Sequence, residues 1–199
     1  MKQLILIVSA LSFMAASACA GAIKGPAAKS RVVYKPYSMD NKYFSCSVPD
    51  SWQLERDQKR DERYKIYEIQ LLAPKAEKAP TSIFVSFFAK DNADFNDYQD
   101  YIDSNSKNAL GETKSARENY EPVKKTKLNG REAFELSSEA MKYLHPQSKS
   151  DESVQLKTKM YVLPAKDGFY VLRFSAAKTA FLDNAAVFEK IAKSFKGNP

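Results

Sequence analysis

The sequence predicts an α+β protein in which a mainly antiparallel β-sheet is covered by helices on both faces, an α/β/α sandwich. Three observations lead to this fold class. Short runs with strand-like alternation follow one another through turn motifs, which favours antiparallel pairing. The runs Thr81–Ala89 and Phe169–Ala176 are apolar on both faces, so each side of the sheet needs a cover. Two segments with a single apolar helical face can supply these covers.

Four strands and one helix are predicted in the first half of the chain. The strand-like runs are Tyr43–Val48, Trp52–Glu55, Tyr64–Ala73 and Thr81–Ala89. A helix is expected to follow, with Asp94 as its N-cap and its end near Leu110, where Gly111 is a typical C-terminal stop.

A hairpin is predicted next. Asn129 and Gly130 separate the alternating runs Pro122–Leu128 and Arg131–Ser138. Both central positions of a type I′ turn need positive φ, which Asn and Gly tolerate best, so this pair is typical of a two-residue hairpin.

Two more strands and a closing helix complete the predicted fold. Val154–Leu163 alternates well, and its even-numbered residues share one face. They are Val154, Leu156, Thr158, Met160 and Val162. The run Phe169–Ala176 follows. The last helix is expected from about Asp183 to Lys196, with Gly197 ending it.

The N-terminus has the organisation of a bacterial secretory signal. A positive start at Met1–Lys2 precedes the apolar stretch Leu4–Met14 and a run of small residues. The expected segments are a signal peptide (1–20), a flexible spacer (21–41) and a single domain (42–197). No later stretch is long and apolar enough to span a bilayer. The 199-residue chain has a formal charge of +7, which falls to +6 when Lys2 is removed.

Two forms of the mature N-terminus are open alternatives, and they differ in whether Cys19 is removed or lipidated. Residues 18–20 fit a cleavage site before Gly21, whereas residues 16–19 resemble a lipobox in which Cys19 becomes the lipidated first residue. The protein is therefore expected in the periplasm, either free or tethered to the membrane by lipid attachment at Cys19. Cys46 has no disulfide partner in the mature chain and is expected to be a small buried apolar residue.

Several short motifs follow one another in the order found in one protein family. They are Tyr43-Phe44, Val48–Trp52, Leu128–Arg131 with Ala133 and Phe134, Gly168–Leu172, Ser175-Ala176 and Ser194–Lys196. In these motifs the region Asn41–Lys196 resembles the PsbP-like superfamily, which includes bacterial DcrB-type periplasmic proteins and lipoproteins. The resemblance implies a non-catalytic accessory domain of the periplasm or the membrane surface. Ser51 departs from the family, where many members have Gly, and Trp52 is expected to fill the core.

The sequence offers little for catalysis or for metal and cofactor binding. It has no G-x-S-x-G, C-x-x-C or H-E-x-x-H motif and no glycine-rich loop, and His145 is its only histidine. We therefore expect no enzyme, no catalytic residue, no cofactor and no zinc site. An acidic residue recurs at every third position from Asp91 to Asp103, a spacing that winds around a helix. Weak calcium binding and a glycosidase-type carboxylate pair stay open as alternatives.

Basic residues provide the remaining candidate site. Lys124, Lys125 and Lys127 precede the predicted hairpin turn, and Arg131 is expected to join them across it. Such a patch suits an acidic protein or anionic lipid headgroups. Basic residues between Arg56 and Arg63 alternate with acidic ones and are expected to form a solvated loop.

The function expected from the sequence is that of a non-enzymatic, exported accessory or binding domain of the bacterial envelope. Its partner would be an envelope protein or an anionic membrane surface, and export argues against nucleic acid. Two alternatives stay open: a periplasmic carrier of a small ligand or lipid, and a carboxylate-dependent hydrolase.

Overall fold

Eleven strands and three helices occur in residues 32–75 and 78–197, the parts of the chain that this computed structural model describes. In chain order they are β1 (Tyr34–Ser38), β2 (Phe44–Pro49), β3 (Gln53–Glu55), α1 (Gln58–Tyr64), β4 (Ile66–Leu72), β5 (Ser82–Ala89), α2 (Tyr98–Asn105), β6 (Glu118–Tyr120), β7 (Lys124–Leu128), β8 (Arg131–Tyr143), β9 (Ser153–Ala165), β10 (Gly168–Ala177), α3 (Phe181–Ser194) and β11 (Lys196–Gly197).

The main sheet is fully antiparallel, as the sequence predicts. Its strand order is β3-β4-β5-β10-β9-β8-β6, and β7 also pairs with β8. Two meanders, β3–β5 and β8–β10, are joined along β5 and β10. Asn129 and Gly130 adopt φ values of 53° and 81° between β7 and β8, which confirms the predicted hairpin turn. The α+β fold class is confirmed.

One face of the main sheet is covered by α3 and by a small sheet of β1, β2 and β11. Phe188 and Ile191 of α3 are buried against this face, and Phe44 of β2 packs beside them. Trp52 is also buried in this cluster, which confirms its expected place in the core. Burial of these large apolar side chains is the main source of stability for a chain with no disulfide among its described residues.

The opposite face of the main sheet is only partly covered by α2. Tyr101 and Ile102 of this helix are buried with Phe88 and Phe169, whose rings stack 4.7 Å apart. However, α2 has eight residues and is about 12 Å long. The 13 residues of β9 extend over about 43 Å. The helix is therefore too short to cover the whole face.

The region between Arg56 and Arg63 contains a helix, so the prediction of a solvated loop was wrong. Asp57 caps α1 by accepting a hydrogen bond from the backbone N–H of Arg60 at 3.1 Å. Asp61 is only 3% exposed, and its carboxylate is 2.8 Å from Nε of Arg56. The dense alternation of charges concealed both the short helix and its buried ion pair.

The folded part of the chain begins earlier than residue 42. Tyr34–Ser38 form β1 within the expected spacer 21–41, and Met39 is 1% exposed. β1 pairs with β2, for example Tyr37 opposite Cys46. The expected signal peptide, residues 1–20, lies outside the described residues.

Both predicted long helices are present, with shifted ends. α2 starts at Tyr98 with Asp97 as its N-cap, not at Asp94, and ends at Asn105, not near Leu110. The reason is that the Asn92 side chain accepts hydrogen bonds from the backbone N–H groups of Asp94 and Phe95, at 3.0 and 2.9 Å, and holds a turn there.

The closing helix α3 starts two residues earlier than Asp183 and ends at Ser194. Its N-cap position, Ala180, makes no side-chain capping bond. Gly197, expected as the helix stop, instead lies in β11, where it pairs with Phe44 of β2. Neither this helix nor any other in the described residues combines the length and apolar character needed to cross a bilayer.

Candidate functional site

The three lysines of the predicted patch lie in β7 but on two faces of the hairpin. Lys125 and Lys127 are two residues apart and share one face, whereas Lys124 lies on the other. The Lys125 ammonium sits 5.9 Å from the centroid of the Phe134 ring. Lys124 Nζ is 3.5 Å from a carboxylate oxygen of Glu121.

Two of the three lysines lie opposite an acidic residue across the hairpin. Glu135 is opposite Lys124, and Glu132 is opposite Lys127. Opposite charges at such cross-strand positions stabilise the sheet. Lys124 and Lys127 therefore each face a carboxylate residue in the register of the hairpin, whereas Lys125 faces Phe134.

Arg131 is half-buried at the start of β8 and contacts the C-terminal end of the fold. Its guanidinium donates to the carbonyls of Gly197 and Pro164, both at 3.3 Å, and lies 5.5 Å from the centre of the Tyr170 ring. Arg131 is a neighbour of Lys127 in the hairpin register, and its guanidinium contacts the groups named above. Its role here is to join β8 to β9, β10 and the C-terminal end of the fold.

Of the two cysteines, Cys46 lies among the described residues and Cys19, the expected lipid attachment site, does not. Cys46 is free and buried in β2, as expected, and burial raises the pKa of its thiol to about 12. Because the thiolate is the reactive form, Cys46 is inert at neutral pH.

The remaining sequence candidates lie apart from one another. His145 is exposed, with Nε2 3.5 Å from a carboxylate oxygen of Glu152. Asp97 caps α2, and Asp100 accepts hydrogen bonds from Asn96. Within residues 32–75 and 78–197, no group of three or more histidine, cysteine or carboxylate side chains is placed to hold a metal ion.

A row of hydroxyl groups crosses the part of the main sheet that α2 leaves uncovered. Five neighbouring strands each contribute one hydroxyl side chain at the same level, and the cross-strand register joins each member to the next. The members of this hydroxyl row are Ser82 (β5), Ser175 (β10), Thr158 (β9), Ser138 (β8) and Tyr120 (β6). Directly opposite residues point to the same face of a sheet, so the five hydroxyls form one polar strip.

Some hydroxyls of the row already have partners within the fold. The oxygens of Thr158 and Ser175 are 3.2 Å apart and share a hydrogen bond. Tyr120 donates to Glu118 at 3.3 Å. A hydroxyl offers one donor and two acceptor sites, so each of these groups retains capacity for a ligand.

Arg173 lies next to the hydroxyl row, two residues before Ser175 on the same face of β10. Its guanidinium carbon is 4.4 Å from the centroid of Phe84, directly across in β5. Among the described residues, no carboxylate forms an ion pair with it. The Phe84 ring thus contacts the guanidinium of Arg173, whose N–H donors are left for another partner.

Together these residues line a groove of about 420 Å³, which we call the hydroxyl groove. Its floor includes Phe84, Leu156 and Met160, and Lys142 adds a second cation at the β8 side. Amide side chains of Gln70 and Asn105 complete the polar lining. None of the described residues that line the groove is acidic. A polar, cationic groove of this size suits a small ligand rather than a metal ion.

Sequence reasoning missed this site although it predicted one of its strands correctly. The predicted alternation of β9 puts Thr158 on the same face as Leu156 and Met160, and the structure confirms this. The hydroxyl row, however, joins Ser82 to Ser175 through strand register alone. No motif of fixed spacing marks such a row, so only the pairing order of the sheet reveals it.

The comparisons with known proteins concern the fold. No protein-family model and no curated protein sequence matches the chain. The solution structure of cyanobacterial PsbP (CyanoP) from Synechocystis sp. PCC 6803 is similar, with 11% identity, a TM-score of 0.50, and coverage of 89% of this chain and 100% of that chain.

Two further structures are similar at lower scores. A protein of unknown function, PA94, from Pseudomonas aeruginosa has 12% identity and a TM-score of 0.48, covering 83% of this chain and 98% of that one. LpqN, involved in cell envelope biogenesis of Mycobacterium tuberculosis, has 15% identity and a TM-score of 0.46, covering 84% and 92%. The likeness to CyanoP, over nearly the whole of both chains, agrees with the sequence motifs: the chain has a PsbP-like fold.

Proposed function

We propose that this protein is a non-enzymatic binding domain exported to the bacterial envelope, and that the hydroxyl groove is its binding surface. The observation that carries the proposal is the hydroxyl groove on the part of the main sheet beyond α2. An antiparallel sheet commonly leaves one polar face in contact with water, so polar side chains alone do not mark a site there. Here, however, five hydroxyls stand in one cross-strand row beside Arg173, which has no ion pair among the described residues.

Export is supported by the N-terminal sequence, which has a positive start, an apolar stretch and a run of small residues before Gly21. Lipid attachment at Cys19 is the form of this proposal that places the domain at a membrane surface. The intact mass of the mature protein from its native host separates the two forms. A chain starting at unmodified Gly21 supports a diffusible domain, and added acyl mass on Cys19 supports a tethered one.

The small-ligand alternative is favoured over a protein partner by the shape of the site. The volume of about 420 Å³ lies in the range of small-molecule pockets, roughly 300–1,000 Å³. The lysine patch, which would favour an acidic protein or a membrane, is divided between two faces of the β7–β8 hairpin. The groove therefore takes the place of the patch as the proposed binding surface.

A cysteine-protection experiment in cells tests both export and the binding surface. Ser138→Cys places a thiol in the groove, and Lys149→Cys places one in an exposed loop as a matched control. The native Cys46 contributes no background because it is buried. A maleimide that cannot cross the inner membrane should label Lys149→Cys in intact cells. Ser138→Cys should be labelled several-fold more slowly in cells than in the purified protein.

The two variants give separable results. No labelling of Lys149→Cys until the inner membrane is broken contradicts export. Equal labelling rates of Ser138→Cys in cells and in the purified protein, relative to Lys149→Cys, contradict occupancy of the groove.

A further inference from the structure

We propose that the hydroxyl groove binds a small, hydroxyl-rich organic anion, a sugar acid or a sugar phosphate, with its charged group at Arg173 and its hydroxyls along the hydroxyl row. This inference rests on the proposed function, because it names the ligand of the same surface. Its evidence is the chemistry of the groove, taken in three steps.

The first step is the charge of the groove. Arg173 and Lys142 line it, and no described lining residue is acidic. Three carboxylates lie close by: Glu68 and Asp94 line an adjoining pocket together with Arg173, and Glu118 accepts a hydrogen bond from Tyr120 at 3.3 Å. None of these described carboxylates forms an ion pair with Arg173, and Glu68 accepts a hydrogen bond from Ser86 at 2.6 Å and lies 3.7 Å from Arg60. Arg173 and Lys142 would repel a cationic ligand. A carboxylate or phosphate can pair with Arg173 without breaking an ion pair among the described residues.

The second step is the orientation of Arg173. The guanidinium carbon lies 4.4 Å from the centre of the Phe84 ring, a contact that restricts the positions of the head group before a ligand arrives. A fixed fork of N–H donors matches two oxygens of a carboxylate or phosphate at once. Pre-organisation of this kind lowers the entropic cost of binding.

The third step is the hydroxyl row. Neighbouring strands lie about 4.8 Å apart, so the backbone positions of the hydroxyl row extend over about 19 Å. A single sugar held at Arg173 therefore meets the nearest members of the row, Ser175 and Thr158. Hydroxyls are both donors and acceptors, which suits the hydroxyl groups of a sugar. A lipid chain in the same place would desolvate these groups without replacing their hydrogen bonds, which is unfavourable. The apolar floor at Phe84, Leu156 and Met160 can contact the C–H face of a sugar ring.

Binding by the purified domain tests the inference. D-glucuronate and D-glucose 6-phosphate are titrated at low salt and followed by amide chemical shifts, with D-glucose and inorganic phosphate as partial ligands. At least one of the two anionic sugars should bind saturably and shift amides of β9 and β10. D-glucose and phosphate should each bind at least tenfold more weakly, since each makes only half of the contacts.

The key variant is Arg173→Met, which keeps an apolar side chain over Phe84 but removes the charge. It should weaken binding of the anionic sugar by roughly 10- to 100-fold, as expected for loss of a charge-assisted pair. Lys125→Met is the matched control, because Lys125 also lies over a ring, Phe134, but outside the groove. It removes the same charge and should leave affinity within about twofold. Thermal unfolding of both variants checks that each is folded.

Three outcomes overturn the inference. Neither anionic sugar binds the wild-type domain, or Arg173→Met and Lys125→Met bind equally well, or inorganic phosphate binds as tightly as the sugar phosphate. A stronger response to glucuronate identifies a sugar acid, and a stronger response to glucose 6-phosphate identifies a sugar phosphate. If Ser138→Cys is protected in cells while both sugars fail to bind, the ligand class is wrong but the proposed binding surface stands.

Discussion

The side-chain amide of Asn129, in the turn between β7 and β8, donates a hydrogen bond to the carbonyl of Ala192 in the last turn of α3, at 3.0 Å. The same nitrogen donates to the carbonyl of Phe195 at 2.9 Å. The last four carbonyls of a helix have no donor within the helix, so an outside donor stabilises its end. The hairpin turn therefore caps α3 from 63 residues away and fixes the helix on the sheet.

Replacing Asn129 should separate its two roles. Asn129→Gly keeps the positive φ of the turn but loses both hydrogen bonds, so the free energy of unfolding should fall by about 1–3 kcal/mol. Asn129→Asp cannot donate and puts a negative charge at the helix C-terminus, so it should cost more. Urea denaturation measures both, with exposed Lys127→Ala as a control within about 0.5 kcal/mol of wild type. A Gly variant as stable as wild type would rule out the capping role.

Substitution by alanine should reduce the free energy of unfolding by very different amounts at two glycines with positive φ. At Gly168 φ is 145° and an added Cβ would lie 1.9 Å from the carbonyl oxygen of Phe88. At Gly130 φ is 81° and no atom lies within 4 Å of the added Cβ. We expect Gly130→Ala to cost about 1 kcal/mol and Gly168→Ala more than about 3 kcal/mol, because only the second also forces β5 and β10 apart. Equal midpoints of urea unfolding for the two variants would contradict this assignment of the clash.

The elements that local sequence pattern determines were predictable. The Asn129-Gly130 turn, the alternation of Val154–Leu163 and the apolar stripe of α3 depend on residues close together in the chain, and the structure confirms each. β1 and α1 were missed for physical reasons. β1 is stabilised by pairing with β2 rather than by its own alternation, and α1 has only seven residues.

The candidate site was not predictable from local pattern. Lys124, Lys125 and Lys127 are neighbours in sequence, but a strand turns successive side chains to opposite faces. Arg173 and Phe84 are far apart in sequence and become partners only through the pairing of β5 with β10. A surface patch thus needs the strand register, whereas a hairpin turn needs only its own two residues.

The ion pair between Asp61 and Arg56 should contribute more to the free energy of unfolding than the exposed pair between Asp50 and Lys35. Asp61 is buried, and its other oxygen accepts the backbone N–H of Glu68 at 3.2 Å. Asp61→Ala leaves the half-buried Arg56 guanidinium with Asp40, at 2.6 Å, as its remaining carboxylate partner, and it removes the acceptor of the Glu68 amide. The free energy of unfolding should therefore fall by about 2–3 kcal/mol. Asp50→Ala breaks the exposed 2.9 Å pair with Lys35 and should cost less than about 1 kcal/mol. Similar losses in chemical denaturation would mean that burial does not strengthen the Asp61 pair.

Cys46 should be unreactive in the folded protein. Its thiol is buried, and its pKa of about 12 leaves almost no thiolate at pH 7.5. A water-soluble maleimide should label Cys46 at a negligible rate in buffer and to completion in concentrated urea. Lys149→Cys provides the exposed comparison in the same chain. Rapid labelling of the native wild-type protein would show that β2 opens far more readily than its burial indicates.

The stability of the protein should depend on pH through Glu139, which lies in a charge cluster on the face of the sheet opposite the hydroxyl groove. Glu139 accepts a hydrogen bond from Lys178 at 2.6 Å, and a second ammonium, that of Lys157, lies 3.7 Å away. The Lys178 hydrogen bond is the main cause that holds the pKa of Glu139 below its ordinary value of 4.5. The folded state thus favours the ionised carboxylate, and the unfolded state binds its proton more readily.

The sign of the effect follows from that difference. The contribution of Glu139 to stability is fully present above pH 4.5 and is lost as the pH falls through the lower pKa of the folded state. Lys178→Met should raise the pKa of Glu139 toward 4.5 and reduce the loss of stability on acidification. An NMR titration of the Glu139 carboxyl carbon measures the pKa directly, with the exposed Lys190→Met as the control for loss of one charge. Because exposed ion pairs contribute little to stability, the titration is the decisive measurement, and an unchanged Glu139 pKa in Lys178→Met would contradict the pairing.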